Sequence, residues 1–144
     1  MILRNQLRDD EEGNTAVSMA IIIPVVMLIA GLMLVGGYLA TSRGAVQTAA
    51  NEAARAASIA RTSGVASASA TSTATSTLAN SNTRCASTQV SANTTGFNTP
   101  IGQPGEVSVT VTCVVPLIDL PGIPASRSIT ATGTSVVDAY RGRS

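Results

Sequence analysis

From Gly13 to Ser42 the chain carries no charged side chain, and within that stretch Ile21 to Leu39 is a dense apolar block. A hydrocarbon core about 30 Å thick is crossed by about 20 helical residues, each rising about 1.5 Å. The thirteen Ile, Leu, Val and Met residues between Ala20 and Ala40 each favour the bilayer centre by ~0.3 to 0.6 kcal/mol, so insertion is favourable by several kcal/mol. A cleaved secretory signal is the competing reading, because Arg4 and Arg8 precede the block and small residues follow it near Ala40. The block exceeds the usual signal core of about 7 to 15 residues, and Asp9, Asp10, Glu11 and Glu12 stand where a signal is basic. A retained single-pass span fits better, with membrane lipid as its surroundings.

The rest of the chain is short of material for a large core. Of 144 residues 44% are hydrophobic, but there is one Phe, two Tyr and no Trp, which leaves room for one small, thin domain. Nine Arg stand against eight acids for a net charge of +1, so no basic patch invites nucleic acid. The chain has no His and two Cys, too few ligands for a tetrahedral metal site, and no cofactor is expected. Outside the head the acids are Glu52, Glu106, Asp119 and Asp138, with no His or Lys to serve as base, so no catalytic residue is assigned and an enzyme is not expected. Arginines flank both ends of the span, Arg4 and Arg8 against Arg43, Arg55 and Arg61, and do not decide its orientation. Cys85 and Cys113 do, since such a pair belongs in an oxidising compartment, which places the C-terminal part outside.

Beyond the span, Gly44 to Arg61 is rich in Ala, free of Pro, and sets Glu52 and Arg55 three residues apart. One helix over about 14–61 is predicted, roughly 70 Å long, whose second half projects past the membrane. Pro24 lies inside it and predicts a kink near Ala20 to Pro24. Small residues recur at four-residue steps, Gly37, Thr41, Ala45, Ala49, Ala53 and Ala57, beside a second ridge of Gly36, Ala40, Gly44 and Thr48. Two readings stand: a surface for close approach of another helix, or Ala chosen for helix propensity alone.

Residues 62–83 are nearly all Ala, Ser, Thr or Asn, and read as a flexible linker or a weak helix whose hydroxyls compete for backbone bonds. Residues 84–144 form a small β domain. Gly105 to Val115 alternates strictly, with Val107, Val109, Val111, Cys113 and Val115 on one face. A second alternating run, Arg127 to Asp138, places Ile129, Ala131, Gly133 and Val137 on one face, and the two are expected to pair antiparallel. A Cys85–Cys113 bond would lie against this core and close a loop of about 29 residues, contributing roughly 3.5 kcal/mol in the chain-entropy model. Between the runs, Pro116 to Ser126 combines Leu117, Ile118, Leu120 and Ile123 with three prolines and is not expected to be regular structure. It either folds over the hairpin as core, the favoured reading, or is exposed as a contact surface. The fold class is α+β: a long N-terminal transmembrane helix followed by a small antiparallel domain with one disulfide.

The order of these segments resembles a known family. A charged head ending in Gly13, then NTAVSMAIIIPVVMLIAGLMLVG, then AVQTAANEAARAAS, and a tail with PLIDLPGIP, SITATGTSVV and VDAYRGR, look like the TadE/TadG-like minor pilins of tight-adherence pili, a branch of the type IV pilins. The resemblance implies removal of the 1–13 leader by a prepilin peptidase cutting between Gly13 and Asn14. It also implies partners among other pilins and the pilus assembly platform, at the cytoplasmic membrane or in a surface pilus. Pilins of this kind usually carry Glu at the fifth mature position; here that position is Ser18, which cannot pair with a neighbour's amine and points to a minor component. The rival reading is a generic single-pass surface protein whose outer domain binds a protein or ligand without a pilus.

Overall fold

Helix α1 spans Leu3–Ser58. The computed structural model describes residues 3–100, 102–120 and 123–138, with side chains described from Val17 onward except at 118–120 and 123–124. α1 contributes to two units, Met1–Tyr38 and Leu39–Ser144. Its helical course includes the charged head, so it begins before the 14–61 stretch predicted for it. In sequence Arg8 stands three and four residues before Glu11 and Glu12, a spacing that supports helix. Pro24 lies inside α1, which continues through it. The helix ends at Ser58 rather than Arg61, and the Ser58 hydroxyl donates to the Arg55 carbonyl.

In the second unit the order is the last part of α1, then α2 (Ser63–Asn80), β1 (Ser87–Asn93), a short 3-10 turn at Thr95–Asn98, β2 (Gly105–Leu120) and β3 (Ile123–Val137). The strands form one antiparallel sheet in the order β1-β2-β3. Its inner face carries Val107, Val109, Val111, Cys113 and Val115 of β2 and Ile129 and Val137 of β3, all buried. Its outer face carries hydroxyls paired across strands, Thr110 with Thr132 and Thr112 with Thr130, each at 3.0 Å. Both alternating runs thus pair with the faces their period of two implies.

The 62–83 segment is a defined helix over most of its length. Thr62 caps α2 by accepting from the Val65 amide. Its hydroxyls do not compete with the helix: Ser67, Thr71 and Thr75 donate to the carbonyls of Ser63, Ser67 and Thr71, four residues back. Ala66, Ala70, Ala74 and Leu78, one helical face at four-residue steps, are buried. That stripe of small side chains is enough because it joins a core already supplied by α1 and the sheet.

Pro116 to Ser126 is likewise more regular than expected. β2 continues to Leu120 and β3 begins at Ile123, with an irregularity in register between Pro116 and Ile118. β1 stops pairing at Val114, so beyond it β2 has a free edge, where a residue without an N–H breaks no ladder. Leu117 is half-buried; whether the tip of this hairpin covers the core lies outside the described side chains.

Two close approaches hold the layers together. A Cβ on Gly133 of β3 would fall 2.6 Å from the Asn51 amide nitrogen and closer still to the Ala50 carbonyl, so α1 meets β3 backbone to backbone. Gly105 and Gly96 meet in the same way, seating the 3-10 turn and its buried Phe97 against the start of β2. Gly133→Ala is expected to destabilise the domain by about 2 to 3 kcal/mol, because the obstacle is a helix backbone rather than a yielding side chain. Hydrogen exchange of the β3 amides in the full chain reads this out, and unchanged protection would contradict the close approach.

Candidate functional site

In the first unit the apolar helix is uncovered. From Val17 to Val35 its large side chains are exposed on every face, among them Ile21 at 65%, Met27 at 71% and Leu34 at 76%. α1 is long and apolar enough to cross a membrane, with a mean hydropathy of 2.7 over its most apolar stretch, none of it buried by the chain itself. In water such a surface is costly at about 25 cal/mol per Å²; in lipid or against other helices it is the stable arrangement. Gly13 and Asn14 fall inside α1, before the described side chains begin. Ser18 is exposed.

The ridge of small residues divides in two. Ala49, Ala53 and Ala57 are fully buried in the chain's own core, together with Val46, Ala50 and Ala54, so that part does not wait for another helix. The recurrence at three and four residues, from Ser42 through Ala57, is the core-facing stripe of an amphipathic helix. Neither reading of the ridge anticipated this: at Ala49, Ala53 and Ala57 the close approach is made within the chain. Ala45 is half-buried, while Gly37 and Thr41 are exposed. A Cβ at Gly36, Gly37 or Gly44 would meet nothing within 4 Å, which leaves that stretch sterically open to a neighbour.

Polar bonds fix α1 to the elements beside it. Gln47 Nε2 donates to the Thr132 carbonyl of β3 at 3.2 Å and also to Asn51 Oδ1. Ser135 Oγ donates to Ser58 Oγ at 3.0 Å. Glu52, three residues before Arg55 on the helix, accepts a 2.6 Å bond from the Thr77 hydroxyl of α2. Cys85 and Cys113 are disulfide-bonded, with Cα atoms 5.4 Å apart. The bond ties the connection between α2 and β1 to the central strand, against the core in which Cys113 is buried. Sequence reasoning missed Gln47 and Gly133, whose roles depend on β3 lying against α1.

An uncovered apolar helix joined to a small disulfide-closed α+β domain is the build of a membrane-anchored protein. Residues 13–55 match the family model described as TadE-like protein, from Gly13 to Arg55. The match is consistent with a TadE/TadG-like pilin of tight-adherence systems and supports a membrane-anchored, pilus-associated protein. No curated protein and no solved structure gives a significant match to the chain.

Proposed function

We propose that the protein is a minor pilin or pseudopilin of a tight-adherence pilus, processed by a prepilin peptidase between Gly13 and Asn14. The observation that carries this reading is the helix from Val17 to Val35, exposed on all faces and lying inside the segment that matches the TadE-like model from Gly13. It has no catalytic role; it acts by packing. Before assembly its apolar helix sits in lipid, and on assembly other pilins and platform proteins replace that lipid. The open positions Gly36, Gly37 and Gly44 permit the short interaxial distance that small residues allow between membrane helices. Ser18 in place of a carboxylate removes a charge that would cost about 2.5 to 3.5 kcal/mol at the bilayer centre, and with it the pairing that sets register in a shaft. The disulfide supports a domain outside the cytoplasm.

A protease needs an extended backbone, so the helix must open at the cut, and Gly13, a weak helix former inside α1 at the boundary between charged head and apolar stretch, lowers the cost of opening it. Gly13→Ala, a better helix former by about 1 kcal/mol, is expected to slow leader removal several-fold when the chain is co-expressed with the peptidase. Gel mobility follows the reaction. Equal processing of both forms would remove the cleavage assignment and favour a generic anchored surface protein.

A further inference from the structure

An open groove of about 360 Å³ runs between α1 and β3, with Arg43 and Gln47 on one side and the 127–131 stretch of β3, beginning with Arg127, on the other. No carboxylate lines it among the described residues. The amide nitrogen of Gln47 is spent on Thr132 and Asn51 and the Thr130 hydroxyl is paired with Thr112, so the charged donors facing a ligand are the two guanidinium groups, with the Ser128 hydroxyl beside them. Two like charges facing one groove repel unless an anion stands between them, and a guanidinium's fork of N–H donors matches phosphate oxygens.

The groove's level along α1 says where that anion comes from. Ser42 is the last residue of the uncharged stretch and Arg43 the first charge after it, so the groove opens at headgroup height. β3 and α1 run in the same direction, since Gln47 meets Thr132, Asn51 meets Gly133 and Ser58 meets Ser135. The start of β3 therefore lies toward the N-terminal end of this part of the helix, which puts Arg127 on the same groove as Arg43. We propose that Arg43 and Arg127 together hold the phosphate of an anionic phospholipid, pinning the domain to the outer surface of the bilayer. The inference rests on the reading of α1 as a membrane span.

The test uses the full-length chain in mild detergent with phosphatidylglycerol, phosphatidylcholine or inorganic phosphate added, and native mass spectrometry to count what stays bound. The wild type is expected to retain phosphatidylglycerol in preference to phosphatidylcholine. R43Q and R127Q should each lower that retention about fivefold, roughly the worth of one charge at an anionic surface. R43K with R127K, which keeps both charges but not the guanidinium fork, should fall between the wild type and the R43Q/R127Q variant. Hydrogen exchange of β3 in each variant separates loss of the site from loss of the fold. Three results would overturn the proposal: no preference for phosphatidylglycerol, which would leave the groove to an acidic protein partner; retention unchanged in the folded R43Q/R127Q variant; or displacement of the lipid by millimolar inorganic phosphate, which would make it a free-anion site. Flotation of the wild type with liposomes tests the span separately, since a chain that floats but shows no lipid preference loses only the groove.

Discussion

Leu at both Ala49 and Ala53 is expected to destabilise the outer domain by about 4 kcal/mol, as two overpacking substitutions of about 1 to 3 kcal/mol each. Both alanines are fully buried, on a helix whose backbone already touches Gly133, so the added side chains have no room to turn into. Helix propensity hardly changes, since Leu is nearly as good a helix former as Ala, and the apolar span is untouched. Membrane insertion should therefore survive while hydrogen-exchange protection of β2 and β3 collapses. Retained protection with lost assembly would mean instead that these alanines face another subunit.

Breaking the disulfide is expected to have a comparable effect by a different route. Cys85 and Cys113 are 28 residues apart in sequence, and opening a loop of that size releases about 3.5 kcal/mol of unfolded-chain entropy in the loop-closure model. The domain has little with which to offset this, because its core is mostly Ala and Val, with Leu78, Ile129 and Phe97 as its larger side chains. Cys85→Ser combined with Cys113→Ala keeps the buried position apolar, so the change reads the cross-link rather than a buried hydroxyl. Loss of β1 protection, with α1 insertion intact, is the expected outcome. Protection equal to that of the wild type would mean that the bond is dispensable to the fold.

The elements legible in the sequence were those whose signal is local. The apolar span announces itself by thirty uncharged residues, Gly13 to Ser42, and the inner faces of β2 and β3 by strict alternation. The Cys85–Cys113 pair follows because these are the chain's two cysteines. What stayed hidden depends on tertiary context. α2 shows only Ala66, Ala70, Ala74 and Leu78 to bury, a stripe that becomes meaningful once a core exists beside it. β1 offers only Val90 and Ala92 as half-buried residues, and exists because the edge of β2 pairs with it. The alanine ridge was visible, but its partner was not: nothing in the spacing of Ala49, Ala53 and Ala57 distinguishes packing within the chain from packing against another chain. Gly133 looked like an ordinary member of a strand face, and only the helix lying on it gives it a role.

The central claim, a helix released from its leader for assembly, is tested most directly by the N-terminus of the mature chain. Intact mass and N-terminal sequencing of wild-type protein recovered from cells carrying the prepilin peptidase should find Asn14 as the first residue, and Met1 retained where the peptidase is deleted. Recovery of the chain with residues 1–13 still attached in the presence of the active peptidase would contradict the account.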